Sequence, residues 1–240
     1  MKILAIDTST KFLSLGIYDN SKVYEVILET GHKLSALISV VIKRTIDSLG
    51  LLISDFDYFA CGLGPGSFTG LRIGLATIKG FAWAQKKPII GISTLDVLAQ
   101  NALNLGGIIV PVVDAKRQLV YASAYQVNGT SLKKVMPYML LERPEFFKKI
   151  NRKFAGKPGN LNIFGDACDI YKEEIALNIK KAKILEKDYW YPKPASLISL
   201  AQDKIHNKDF LDAFNAEPIY LYPKECQIQL SHRLNNGHIG

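Results

Sequence analysis

The chain reads as an α/β protein of two related lobes, each a mixed β-sheet flanked by helices. Three observations carry that reading. Strand-like and helix-like periodicities alternate along most of its 240 residues. Residues 3–18 and 110–125 repeat one pattern at an offset of 107: an apolar strand, an aspartate (Asp7, Asp114), a short polar turn, then a second strand ending in tyrosine (Tyr18, Tyr125). A glycine-rich loop beginning at Gly64 joins a strand to a helix. The boundary between lobes falls near Leu105-Gly106-Gly107, giving units of 1–106 and 107–225.

The elements follow in order. Ile3-Leu4-Ala5-Ile6 is the first strand, and the repeat places the second up to Tyr18. From Val23 to Glu29, Val23, Glu25 and Ile27 alternate with Tyr24, Val26 and Leu28, which is strand periodicity. Leu34, Leu37, Ile38, Val41, Thr45, Ile46 and Leu49 recur at helical spacing, and Gly50 is a plausible stop. Tyr58 to Leu63 is a strand, and a helix runs from Leu71 to about Trp83. Ile89 to Ile92 is a short buried strand; Ser93-x-x-Asp96 resembles a capping box before Val97 to Leu103. In the second half, Pro144-Glu145 suits the first turn of a helix reaching Ile150. Ile163-Phe164-Gly165-Asp166 is a strand entering a helix through about Ile179, and Pro194 precedes a last helix, Ala195 to Ile205. Residues 226–240 carry little periodicity and read as a flexible tail. A strand-Asp-turn-strand unit opening each half is what actin-like ATPase and sugar kinase folds show.

Composition narrows the function classes. No run of about 18 apolar residues exists, so no membrane partner is expected. Met1-Lys2, four apolar residues and then Asp7 do not make a signal peptide. Cys61, Cys168 and Cys226 are scattered, with neither metal-ligand spacing nor a disulfide framework, so the expected compartment is the cytoplasm. Net charge is +8, and residues 133–194 hold 14 Lys/Arg against 8 Asp/Glu. A basic lobe can attract nucleic-acid phosphates or an acidic protein face, although Lys is abundant throughout, at 24 against 6 Arg.

The loop Gly64-Pro65-Gly66-Ser67-Phe68-Thr69-Gly70, followed by Leu71-Arg72-Ile73-Gly74, is the most distinctive stretch. Glycine permits positive φ and close approach, and a helix start presents free N–H groups. The loop therefore suits an anion, the backbone of another protein pressed close, or a purely structural turn. It is not a Walker A loop, because no Lys-Ser/Thr pair follows its glycines. It fails the dinucleotide fingerprint, because Thr69 stands where the third glycine belongs. It contains no Gly-x-Ser-x-Gly elbow.

The string Gly64–Gly74 resembles the signature of the TsaB (YeaZ) family of tRNA threonylcarbamoyladenosine biosynthesis. The likeness continues through Ile3–Thr10, Gly91–Asp96, Val112–Arg117 with Val120-Tyr121, Gly165-Asp166 and Pro218-x-Tyr220-Leu221, and so spans residues 1 to about 222. It implies an actin-like fold and a non-catalytic subunit that supports TsaD. TsaD transfers a threonylcarbamoyl group to N6 of the adenosine beside the anticodon, in tRNAs reading codons that start with A. The resemblance implies TsaD and TsaE homologues as partners, a homodimer when alone, and contact with tRNA only through the complex.

The residues agree with a subunit that lacks its own catalytic centre. Asp7, with Thr8, Ser9 and Thr10, retains half of an actin-like phosphate and metal site, or else caps its own turn. Asp114 is followed by Ala115, Lys116 and Arg117 instead of phosphate-approaching glycines, so at most a vestigial nucleotide site is expected, with no working cofactor. A self-sufficient kinase or ATPase is the alternative. No two histidines share a helix face as metal ligands, no Ser-His-Asp set has a distinctive context, and a protease is disfavoured. The helix with Leu34, Leu37, Ile38 and Val41 is apolar over a wide arc that Val40 and Ile42 extend, and the helix with Leu71, Leu75 and Ile78 is similarly rich. These arcs are covered either by the chain's own sheet or by a partner; the family resemblance favours the partner.

Overall fold

A computed structural model of the chain describes residues 1–156 and 159–222. The expected tail, 226–240, lies outside the described residues. The first sheet contains β1 (Lys2–Asp7), β2 (Phe12–Asp19), β3 (Lys22–Glu29), β4 (Tyr58–Gly62) and β5 (Ile89–Ile92), in the order β3-β2-β1-β4-β5. β1, β2 and β3 form an antiparallel meander, whereas β4 and β5 add in parallel. The second sheet contains β6 (Ile108–Asp114), β7 (Leu119–Asn128), β8 (Ser131–Glu142), β9 (Leu161–Phe164) and β10 (Ala182–Ile184), in the order β8-β7-β6-β9-β10. Its pairing is the same, strand for strand. The two related lobes expected from the internal repeat, each with a mixed sheet, are the ones observed.

Period-2 alternation on β1 decides what covers each face of the first sheet. Leu4 and Ile6 meet α1 (Leu34–Ser48) and α2 (Phe68–Gln85) through Ile38, Ile42, Leu75 and Ile78. Ile3 and Ala5 meet α6 (Pro194–His206) through Leu197, Ile198 and Ala201. Gly16 on β2 makes room for α6, since a Cβ there would lie 3.1 Å from Ile198 Cγ1 and from Pro194 Cβ. The second lobe adds α4 (Arg143–Phe154) and α5 (Ala167–Asn178).

Two findings depart from the sequence expectation. Residues 194–219 pack on the first lobe, whereas Leu221 and Tyr222 touch the second core, so the second unit is not the continuous 107–225. From the first 106 residues a single helical side chain, Val97, joins the Ile3/Ala5 face, and the apolar stripe of α6 covers the rest. The helix α3 (Thr94–Asn101) serves both lobes: Leu95, Leu98 and Ala99 enter the second core, and Val97 the first. Its expected capping box is absent. Ser93 makes no side-chain cap bond, and Asp96 instead accepts hydrogen bonds from the Tyr125 and Tyr138 hydroxyls of the second lobe.

Candidate functional site

The glycine-rich loop is a packing joint between the β1–β2 turn and α2. Ser67 N–H donates to Ser9 O at 2.7 Å, and Thr8 Oγ1 donates to Gly70 O at 2.8 Å. A Cβ on Gly66 would stand 2.3 Å from Ser9 O, one on Gly70 2.1 Å from Thr8 O, and one on Gly74 2.2 Å from Thr8 Oγ1. No side chain fits such contacts, so these glycines exist for the approach of the chain's own hairpin. Gly64 holds φ of 91° and Pro65 is buried beside it. The helix opens at Phe68, three residues earlier than its apolar spacing indicates, because the Ser67 hydroxyl caps it by accepting from Gly70 N–H. Thr69 remains exposed.

Asp7 is consumed by the same joint. It is 1% exposed; one carboxylate oxygen accepts from Ser9 N–H and Ser9 Oγ, the other from Thr94 Oγ1. Burial raises its pKa, and the Ser9 and Thr94 hydrogen bonds work against that rise. The close neighbour across the sheet has to be Gly62, since a Cβ there would lie 2.0 Å from the Asp7 carboxylate.

A cleft of about 690 Å³ separates the lobes. Of the four residues read as a vestigial nucleotide site, Ser9 and Asp114 line it, whereas Asp7 and Thr8 do not. Asp114 is held by the Lys116 ammonium at 2.7 Å, and its N–H donates to Asp166 Oδ1 at 2.9 Å. Burial, with the Asp114 charge adding to it, pushes the Asp166 carboxyl up to about 6. Lys116, Arg117 and Gln118 all have positive φ, at 63°, 51° and 64°. A left-handed run without glycine is costly, by about 1–2 kcal/mol per residue.

Residues 211–222 strap the two lobes together, a feature that sequence periodicity does not show. Leu211 N–H donates to Ile89 O, and Ile219 N–H donates to Leu63 O. Lys79 Nζ reaches Phe214 O and Ala216 O at 3.1 and 3.3 Å. Arg72 Nε donates to the Tyr220 hydroxyl at 3.2 Å, and its guanidinium lies 3.9 Å from the centre of the Phe68 ring, which also meets Tyr220. Tyr222 OH donates across the cleft to Ala115 O at 2.8 Å. The signal for this contact lay in Phe68, Arg72 and Tyr220, three residues whose connection is visible only in three dimensions.

The partner-facing expectation requires correction. Leu34, Ile38, Leu75 and Ile78 are buried in the first core, as is Ile42, and Leu71 is buried beside the cleft between the lobes, so none of them offers an exposed surface to a second protein. Those in the core recur at spacings of three or four residues and mark the sheet-facing stripe. Leu37 and Val41 are half-buried, one step round α1. Exposed beside them are Ala36 and Val40 on α1, and Ala76, Gly80 and Trp83 on α2. Among the described residues no His/Cys/Asp/Glu group could hold a metal ion. Cys61 and Cys168 are buried, which pushes each thiol up to about 12. No helix among the described residues is long and apolar enough to cross a membrane.

Comparison with known proteins bears on this geometry. A family model described as "TsaD: tRNA N6-adenosine threonylcarbamoyltransferase" matches residues 28–228. The tRNA threonylcarbamoyladenosine biosynthesis protein TsaB of Bacillus subtilis (strain 168) is 34% identical over 234 residues, 95% of this chain and 96% of that one. The chain belongs to the TsaB family. The TsaB of Escherichia coli (strain K12) is 26% identical over 92% of this chain and 94% of its own length. Among solved structures, YeaZ from Pseudomonas aeruginosa superposes with a TM-score of 0.77 at 23% identity, covering 92% of this chain and 99% of that one. A second Pseudomonas aeruginosa structure, an uncharacterized protein with similarity to peptidase YEAZ, reaches a TM-score of 0.81 at the same identity. Two stretches that marked the TsaB resemblance in the sequence, Gly64–Gly74 and Pro218–Leu221, are therefore in contact with each other through Phe68, Arg72 and Tyr220.

Proposed function

We propose that this TsaB-family chain is a non-catalytic subunit that binds a TsaD homologue and supports threonylcarbamoyl transfer to N6 of the adenosine beside the anticodon of tRNAs reading codons that start with A. The observation that carries the proposal is the outward face of α1 and α2. Leu37, Val40 and Val41 on one helix adjoin Ala76 and Gly80 on the other, small and apolar residues left without full cover by the chain's own sheet. Small side chains allow close helix–helix approach, so the face suits a helical pair from a homologous protein. The same face serves a homodimer when the chain is alone, a TsaE homologue joins the assembly, and the complex works in the cytoplasm without a cofactor bound here. Against the kinase or ATPase alternative stand the burial of Asp7 away from the cleft and the non-glycine turn at 116–118.

Co-purification with the TsaD homologue of the same cell tests the proposal, followed by transfer assays with and without this chain. Leu37→Asp with Val40→Asp abolishes co-elution while the chain stays folded. Ile78→Asp unfolds it, because that side chain is fully buried. Undiminished co-elution of the folded double variant, or release of phosphate from ATP by the purified chain alone, overturns the proposal.

A further inference from the structure

The second lobe carries a dense basic end that acidic side chains neutralise only in part. Residues 148–153 on α4 include Lys148, Lys149, Arg152 and Lys153 and no acid. Residues 175–185, running from α5 into β10, include Lys180, Lys181 and Lys183 and again no acid. The fold brings the two stretches together, because Asn151 Nδ2 donates to Asn178 O at 2.8 Å, tying the last turn of α4 to the last residue of α5. All seven cations are exposed. Lys149 pairs with Glu145, whereas the other six form no ion pair with a described residue.

Ordinary surface chemistry accounts for part of this. Arg152 and Lys153 lie in the last turn of α4, where a cation offsets the negative end of the helix dipole. That argument does not reach Lys180, Lys181 or Lys183, which lie beyond the end of α5, the last of them on the edge strand β10. Like charges held at one end of a lobe repel each other, and a polyanion is the natural counterpart. The patch lies on the second lobe, and α1 and α2 on the first, so both faces are available at once. Six of the seven cations are lysines, point charges that neutralise phosphates without reading bases.

We propose that this basic end contacts the phosphate backbone of tRNA directly, in a sequence-independent manner. The choice of tRNA over another polyanion rests on the function proposed above; the patch itself does not. The proposal adds a contact made by this chain to one made through its partner.

The test is a titration of labelled, unmodified tRNA with the chain alone and with its complex with the TsaD homologue, at about 50 to 200 mM salt. The variant Lys148→Ala/Arg152→Ala/Lys153→Ala/Lys180→Ala/Lys181→Ala is compared with the parent, and arginine or lysine exchanges at the same positions serve as the charge-preserving control. A log–log salt slope falls by about 0.7 to 0.9 for each phosphate contact removed. The alanine variant is therefore expected to bind tRNA at least tenfold more weakly at low salt, with a shallower slope, while still co-eluting with the TsaD homologue. The charge-preserving exchanges retain affinity. Because all five residues are exposed, the fold is checked by circular dichroism, and Lys180→Ala/Lys181→Ala alone provides a milder second arm. An alanine variant with the parent's affinity and slope overturns the inference. So does a parent that binds phosphatidylglycerol vesicles but not tRNA, or a variant that loses the TsaD homologue and keeps tRNA. Failure of the parent to co-elute sinks the proposed function instead, and the titration of the chain alone still decides the basic patch.

Discussion

The joint between the β1–β2 turn and α2 gives a sharp prediction through Gly74 and Thr8. Gly74→Ala places a methyl 2.2 Å from Thr8 Oγ1 and 3.2 Å from Thr8 Cγ2, in a site with no room to yield. Overpacking of this kind costs about 1–3 kcal/mol, here at the upper end, and the better helix propensity of alanine returns about 1 kcal/mol. The net loss is about 2 kcal/mol. Thr8→Ala alone removes the 2.8 Å bond to Gly70 O and costs about 1–2 kcal/mol. Combined, the two are expected to be less harmful than their sum. Without Oγ1 and Cγ2, Thr8 Cβ, at 3.3 Å, is what remains of the three nearest contacts of the new methyl, and the helix gain is kept. Gly74→Ala should then be close to neutral in the Thr8→Ala background, a coupling of about 2 kcal/mol, well above the 0.5 kcal/mol or so within which independent sites add. Urea unfolding of all four proteins measures it, with m unchanged as the sign that both states stay comparable. Additive losses would show that the close packing of loop on hairpin is not what these glycines serve.

Other expectations follow from the cleft and the strap. Asp166→Asn keeps the acceptor for Asp114 N–H and removes a buried charge. Because the folded carboxyl is raised from 3.8 to about 6, its contribution to stability is complete below the lower value and lost as pH rises through the upper one. The substitution should flatten the pH dependence between those values and stabilise the chain near neutrality by about 1–3 kcal/mol in urea melts; parallel curves for the two proteins refute this. Arg72→Ala removes an exposed cation–π contact and a hydrogen bond, about 1–2 kcal/mol together, so exchange of the Ile219 amide should speed about tenfold. Unchanged exchange means that Arg72 does not hold the strap. Tyr138→Phe should cost about 1–2 kcal/mol by chemical melt, and much less once Asp96→Asn has removed the carboxylate that its hydroxyl serves. An undiminished loss in that background separates the two residues.

Strand periods and the internal repeat were enough to place the paired hairpins, because alternation within one strand is a local property. The burial of α1 was legible too, once the stripe Leu34-Ile38-Ile42-Ile46 is separated from Leu37 and Val41 one step round the helix. A wide apolar arc read as one surface merges a core face with a partly exposed one. What local reasoning missed is non-local. The stripe of α6 shows that the helix has a face to bury, not which sheet receives it. Asp96 has the spacing of a capping box, yet two tyrosines about 30 and 40 residues onward claim its oxygens.

The two hairpins show why sequence similarity between the lobes stops short of function. The strands around Asp7 and Asp114 keep the same pairing, which backbone hydrogen bonding and period-2 burial enforce for any suitable apolar sequence. The turns are constrained only by what lies against them. In the first lobe a glycine loop presses on Thr8 and Ser9, so the aspartate is sealed and its hydroxyl neighbours are spent on structure. In the second lobe the turn at 115–118 faces the cleft, is built without glycine, and carries a lysine that neutralises Asp114 directly. A phosphate site between the lobes requires both turns to present free N–H groups and an available carboxylate. In one turn the carboxylate is held by packing and hydroxyl groups, and in the other by an ion pair. The shared topology is thus maintained by many interchangeable apolar contacts, and the two turns differ in the few polar contacts that each lobe makes.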